Sequence, residues 1–237
     1  MEVIILAGGM GTRLREVLPD LPKPMAPING KPFLHYLLKW LSEYQIDKII
    51  LSVGFKAECI INYFGASFND IPIEYTIEEK PLGTGGAILY ALQRTNSDNI
   101  LIVNGDTYFP IDIKKFYDVH IKNKSLLSIA LKPMRNFDRY GSVECNGDTI
   151  IRFNEKKMQT SGLINGGIYL VNKQILDKRE FPIVFSFETE ILEKEAASSK
   201  IKGFVFDIAF MDIGTPEDYC RAESILMDKF VNFTLTD

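Results

Sequence analysis

Residues 3–24 constrain this chain more than any other stretch. Val3-Ile4-Ile5-Leu6-Ala7 is a short, wholly apolar run of the kind that forms a buried strand, and it passes directly into Gly8-Gly9-Met10-Gly11-Thr12-Arg13-Leu14-Arg15. Glycines admit backbone conformations closed to other residues and bring bare N–H groups close to an anion. Arg13, and the pair Lys23-Pro24 eight positions after Arg15, add the charge that backbone dipoles cannot supply. Glycine-rich turns after strands are common, but the two attached cations favour a cradle for a polyphosphate. Two better-known phosphate loops are excluded. The order G-x-x-x-x-G-K-[ST] is absent, and Gly9 to Leu14 lacks the closing glycine of the dinucleotide-binding motif.

A chain of 237 residues with 46% hydrophobic content can bury a large core, so one catalytic domain spanning 1–237 is expected. The net charge of -4 argues against a general nucleic-acid or membrane-surface binder, and any phosphate site must be local. Cys59, Cys145 and Cys220 are odd in number, widely spaced and without histidine clusters, which points to neither a disulfide framework nor a zinc site. A reducing cytoplasm fits. No stretch approaches the roughly 20 apolar residues of a membrane helix, and no export signal precedes the first strand.

Strand-like runs at Val3 to Leu6, Lys48 to Val53, Ile73 to Ile77, Ile100 to Val103, Leu126 to Leu131 and Gly167 to Val171 alternate with helical patterns. The expected fold class is therefore α/β and Rossmann-like, a mostly parallel central sheet with helices on both faces. Phe33 to Leu41 forms one helix opened by Pro32, its aromatics serving the core. Tyr140 to Ile151 reads as an inserted antiparallel hairpin with Asn146-Gly147 at its turn. The terminal residues Asn232 to Asp237 are expected to fray.

Three clusters carry chemistry. After the run Ile100 to Val103, Asn104-Gly105-Asp106 sets a carboxylate at the carboxyl end of a strand, the edge where open α/β sheets bind ligands. Asp212 precedes the helix start at Thr215-Pro216, and because Thr215 is the better cap, Asp212 is free to share a Mg²⁺ with Asp106. Glu78 to Ala87 holds a second glycine loop leading into a helix, Ala87 to Gln93. That loop is either a surface for a flat base or ribose, or a plain loop with a Thr84 cap. Finally, Phe153-Asn154-Glu155-Lys156 is followed by Asn165-Gly166-Gly167. The lysine suits a phosphate ester, while Asn165 and Glu155 suit sugar hydroxyls. His35 and His120 have no partners that suggest acid–base work.

Taken in order, these motifs resemble the sugar-1-phosphate nucleotidyltransferases, whose pattern is a Gly-Gly-x-Gly-Thr-Arg-Leu loop with a downstream Pro-Lys-Pro. Pro22-Lys23-Pro24, Pro81 to Thr84, Gly105-Asp106, Glu155-Lys156, Asn165 to Gly167 and Asp212 to Pro216 carry the likeness from position 3 to about 219. Leu18 to Leu34 further resembles the D-glycero-α-D-manno-heptose 1-phosphate guanylyltransferases of bacterial surface-polysaccharide synthesis. The chain departs from many members at Glu16, where proline is frequent, and at Gly166, where alanine is common.

The resemblance implies the nucleotide-diphospho-sugar transferase fold, with a nucleotide half at about 1–110 and a sugar-phosphate half at 111–237. Arg13 and Lys23 would be catalytic, Arg13 on the β- and γ-phosphates and Lys23 on the α-phosphoryl. Leu6, Ala7, Gly8, Gly9, Gly11, Thr12, Glu78, Pro81, Gly83, Thr84 and Asp106 would bind the nucleotide. Gly141, Glu155, Lys156, Asn165 and Gly167 would bind the sugar phosphate, and Asp106 and Asp212 the Mg²⁺. Small-molecule substrates are the expected partners, with no nucleic acid and no membrane, and a homodimer would be unsurprising.

The position that reads the base in such enzymes falls on Glu78. A carboxylate only accepts hydrogen bonds, and guanine shows two adjacent donors, N1–H and N2–H, which points to GTP. The alternative, that Glu78 is a strand-end surface charge and Glu79 or backbone reads the base, stands beside it. The other open readings are a uridylyl- or thymidylyltransferase for a hexose or amino-sugar phosphate, a cytidylyltransferase, a mannose 1-phosphate guanylyltransferase, and a non-catalytic nucleotide-sensing module.

Overall fold

The structure, a computed structural model, describes the chain except Met10, Thr12, Arg13, Arg15, Glu16, Asp177, Lys178, Ser199 and residues 223–237. The expected catalytic Arg13, the nucleotide-binding Thr12, the departure at Glu16 and the fraying terminus therefore lie outside the described residues.

The chain runs through β1 (Glu2–Ala7), a small hairpin of β2 (Pro27–Ile28) and β3 (Lys31–Pro32), α1 (Phe33–Leu41), β4 (Lys48–Val53), α2 (Ala57–Phe64), β5 (Ser67–Phe68), β6 (Ile71–Ile77) and α3 (Gly83–Leu92). It continues through β7 (Asn99–Asn104), β8 (Thr107–Tyr108), α4 (Ile113–Lys122), β9 (Leu127–Phe137), β10 (Gly141–Asn146), β11 (Thr149–Lys156) and β12 (Gln159–Asn172). A π-helical segment at Glu188–Glu193 then runs into α5 (Lys194–Ala197), followed by β13 (Ile201–Val205) and β14 (Met211–Asp212).

Ten strands form one sheet in the order β10-β11-β13-β9-β12-β7-β1-β4-β6-β5. Pairing is parallel along β7, β1, β4 and β6, and again between β13 and β9. It turns antiparallel where β12 joins β7 to β9, and in the inserted β10–β11 hairpin. The α/β class with an antiparallel insertion is thus observed, in a mixed sheet.

Strand periodicity decides which face each side chain serves. Val3, Ile5, Ile49, Leu51, Leu101 and Val103 join one buried cluster with residues of α1, α2 and α4. Their neighbours Ile4, Ile50, Ile100 and Ile102 join the other, with Ile88 and Ala91 of α3 and Ile191, Leu192 and Ala196 of the helical segment 188–197. Helices therefore cover both faces. The α1 aromatics Phe33, Tyr36 and Trp40 are core residues, as their spacing predicts. Among the described residues, no helix is long and apolar enough to cross a membrane.

Two local expectations need correction. Asn146 pairs with Thr149, so the hairpin turn is Gly147-Asp148, one residue later than expected, with Gly147 supplying the positive φ of 61°. The helix expected at Ala87 begins at Gly83 instead. Its glycines form the first turn of α3 because the segment before the π-helix lies against them. A Cβ on Gly85 would collide with the Phe185 ring, one on Gly83 with the Phe185 carbonyl, and one on Gly86 with the Ile183 carbonyl. Close packing against protein, rather than against a base, accounts for these three.

Candidate functional site

At the carboxyl ends of the parallel strands opens a cavity of about 1110 Å³. Leu6, Ala7, Gly8, Gly9, Gly11 and Lys23 line one side, with Glu78, Pro81 and the first residues of α3, Gly83 and Thr84. Asp106 and Asp212 lie at its floor, and Gly141, Glu155, Lys156, Asn165 and Gly167 line the opposite wall. Every described residue expected at the site borders this one space.

The first loop has several reasons for its glycines. A Cβ on Gly8 would strike the Glu78 carboxylate, and Gly11 has a φ of 55° with its would-be Cβ only 3.0 Å from Cβ of Lys23. Gly9 differs. It lines the cavity, and a Cβ there would meet no atom of a described residue within 4 Å. Among the described residues, no neighbouring atom requires glycine at that position, and Gly9 borders the cavity.

Lys23 opens a 3₁₀ turn, Lys23–Met25, held between Pro22 and Pro24, whose fixed φ stiffens the approach. Its Nζ donates to Asp106 Oδ2 at 2.5 Å and lies 3.8 Å from Asp212 Oδ1. The aspartates are far apart in sequence but meet through backbone pairing. Gly105 N–H donates to the Leu6 carbonyl at 2.9 Å, fixing the bend after β7, and β14 pairs with β8 so that Asp212 faces Thr107. Ile213 N–H closes the contact on the Asp106 carbonyl at 3.1 Å.

Asp212 is held in an uneven environment. Burial, then the charge of Asp106, pushes its carboxyl above the usual range, opposed by Lys23 and by the Tyr140 hydroxyl, which donates to Oδ2 at 3.1 Å. Oδ1 is buried without a hydrogen-bond partner. An orphaned carboxylate oxygen beside a second carboxylate has the donor chemistry of a hard divalent cation. Among the described residues no cage of three or more acidic, histidine or cysteine side chains occurs, so phosphate or water oxygens must complete any such coordination. Thr215 caps the following helix, accepting from Asp218 N–H at 3.3 Å, which leaves Asp212 free of that task.

Glu78 is braced rather than loose. Ser52 Oγ donates to its Oε1 at 3.3 Å and Leu82 N–H to its Oε2 at 3.0 Å. Each oxygen keeps further accepting capacity. Thr84 is not a helix cap. Its hydroxyl donates to Glu188 at 2.6 Å and accepts from Phe187 N–H at 2.9 Å.

On the opposite wall, Lys156 ends β11 and, like Glu155, is exposed. Asn165 is committed to the strand. Its Oδ1 accepts from Gly167 N–H and its Nδ2 donates to the Tyr169 hydroxyl, both at 2.9 Å, holding the irregular register where Gly167 takes a φ of 72°.

Sequence reasoning missed Arg139, Tyr140 and Glu188. Arg139 borders the cavity while ion-paired to Asp218, and Tyr140 orients Asp212. The Arg139-Tyr140-Gly141 step into the hairpin was the available signal for the first two. Glu188 sits in an acidic helical run with no motif around it.

The family model described as nucleotidyl transferase matches residues 2–229. The D-glycero-alpha-D-manno-heptose 1-phosphate guanylyltransferase of Aneurinibacillus thermoaerophilus is 49% identical over 226 residues, covering 95% of this chain and 98% of that protein. The protein of the same name from Campylobacter jejuni is 46% identical over 220 residues, covering 92% and 97%. Among solved structures, HddC from Yersinia pseudotuberculosis complexed with GMP-PN is similar with a TM-score of 0.84 at 38% identity, covering 95% of this chain and 99% of that one.

Proposed function

Because the chain belongs to the nucleotidyl transferase family, we propose that it transfers the guanylyl group of GTP to D-glycero-α-D-manno-heptose 1-phosphate and releases pyrophosphate. The observation that carries this reading is Lys23 paired to Asp106 and close to Asp212 at the floor of a cavity bordered on one side by the glycine loop and on the other by Lys156. The names of the two relatives support the sugar, and the GMP-PN complex of the similar structure supports a guanine nucleotide.

A phosphate oxygen of the sugar attacks the α-phosphorus in line, and pyrophosphate departs from the opposite side. The attacking oxygen is already ionised at neutral pH, so positioning and charge neutralisation do the work without a general base. Asp106 and Asp212 would hold Mg²⁺, the orphaned Oδ1 of Asp212 supplying one ligand. When bound, the ion neutralises charge on phosphate oxygens. Arg13 would hold the β- and γ-phosphates, Lys23 the α-phosphoryl as charge develops, and Lys156 the incoming sugar phosphate. The open space beside Gly9 suits the triphosphate backbone. Glu78, steadied by Ser52 and Leu82, would accept N1–H and N2–H of guanine with its remaining lone pairs.

Purified protein offered GTP, ATP, UTP, CTP and dTTP with heptose, mannose and glucose 1-phosphates tests this directly. Pyrophosphate release should be fastest with GTP and the heptose phosphate. Faster release with UTP or dTTP would overturn the guanylyl assignment.

A further inference from the structure

Glu188 stands on the cavity wall outside every motif, at the start of the helical segment 188–197. Its Oε2 accepts two hydrogen bonds, from Thr84 Oγ at 2.6 Å and from Ser186 Oγ at 2.8 Å. Because Thr84 Oγ also accepts from Phe187 N–H at 2.9 Å, its single proton is committed to Glu188. Two hydroxyls thereby fix the carboxylate, and its Oε1 takes no hydrogen bond from any described residue. The half-buried side chain thus presents one oriented, unpaired acceptor at the cavity wall.

The surroundings say what such an acceptor can meet. The fully buried Tyr169 hydroxyl accepts from Asn165 at 2.9 Å, and the Glu188 charge acts on the same phenol, adding to burial in pushing it above its ordinary range. Asn165 and Tyr169 of β12 line the same cavity as Glu188, and the Glu188 charge reaches the Tyr169 phenol that Asn165 hydrogen-bonds. A phosphate would repel this carboxylate, among the described residues no lysine or arginine is ion-paired to Glu188 to offset that, and Lys23 is paired to Asp106 instead. The group that satisfies a lone carboxylate oxygen here is a hydroxyl.

We propose that Glu188 is a specificity-determining residue of the sugar subsite, its Oε1 accepting a hydrogen bond from one hydroxyl of the incoming sugar 1-phosphate. This rests on the nucleotidyl-transfer reading. Substituting Glu188→Gln keeps the shape. Its amide oxygen can still serve Thr84 and Ser186, which turns the NH₂ group towards the sugar and replaces an acceptor by a donor.

The test measures steady-state kinetics of wild type and Glu188→Gln with GTP and a series of singly deoxygenated D-glycero-α-D-manno-heptose 1-phosphates beside the parent sugar. In the variant, kcat/KM for the parent sugar should fall about 10- to 100-fold, mainly through KM, the range for a hydrogen bond to a charged group. The KM for GTP should stay unchanged. For one deoxy sugar, wild type should already show that loss, and the variant no further one. A structural role would penalise every sugar alike. An equal loss across the series, or a loss falling on GTP, overturns the proposal. The wild-type series stands even if the variant does not fold, since no single deoxy sugar losing about tenfold also overturns it. A wild-type enzyme without transfer to any sugar 1-phosphate overturns the function and this role together, whereas an active wild type with an unaffected variant overturns this role alone.

Discussion

Lys23 is held by charge on a proline-stiffened turn, so its loss should leave the fold standing and remove the neutralisation of the reacting phosphoryl group. Lys23→Ala is expected to lower kcat about 100- to 1,000-fold, with circular dichroism unchanged; a near-normal rate would sink its role. Glu78→Gln should narrow the preference for GTP over UTP in competition assays. Two glycines give a sharper contrast. Gly9→Ala meets no described residue within 4 Å, so stability should hold within about 0.5 kcal/mol while KM for the nucleotide rises. Gly166→Ala drives a methyl into the Phe109 ring, 2.6 Å away, and should cost about 1–3 kcal/mol in urea melts. The sequence could not tell these apart, because a glycine that makes room for protein and one that makes room for ligand look alike until the neighbours are known. Asp106 was legible because it follows the end of β7 by two residues, and Lys23 because Pro22 and Pro24 flank it just after the glycine loop. Glu188 was not, since its partner Thr84 arrives from 104 positions away.

The helix α4 carries the clearest pH response. His120 is fully buried, with Nδ1 2.7 Å from Ser128 Oγ and Nε2 3.1 Å from Asn99 Oδ1. A neutral ring satisfies both, donating to the amide oxygen and accepting from the hydroxyl. Burial lowers its pKa from 6.5 to about 4. The unfolded chain thus binds a proton between those values that the folded chain refuses, and stability is complete above pH 6.5 and falls as the pH drops towards 4. At pH 5 the loss should be about 2 kcal/mol by urea titration, and His120→Gln should flatten that slope. Periodicity revealed α1 and the parallel strands β1, β4 and β7, whose apolar runs are nearly continuous. The start of α3 was displaced because its glycines are helical only with Phe185 packed on them. The strands β13 and β14 escaped notice, being short and defined by partners remote in sequence.

Across the molecule, the cavity is walled by both the parallel strands and the inserted antiparallel part, so a ligand filling it ties the two together. GTP with Mg²⁺ at about 100 times its Kd should stabilise the fold by about 2.7 kcal/mol, raising Tm by roughly 5–10 °C. Calorimetry with and without nucleotide measures this, and Asp212→Asn should shrink the shift. The α/β class followed from alternating strand and helix patterns, whereas the order of strands in the sheet did not, since pairing such as β12 with β7 depends on contacts that local pattern does not encode.

The contact of Phe185 with α3 reaches beyond stability. Phe185 N–H donates to the Leu82 carbonyl and Gly85 N–H to the Phe185 carbonyl, both at 3.0 Å, while the ring fills the space left by Gly85. The loop running from Glu78 into α3 and the segment preceding Glu188 are therefore a single exchangeable cassette. An engineer transplanting residues 78–87 from a relative must transplant 181–188 with them, and a lineage altering one segment would have to move both together.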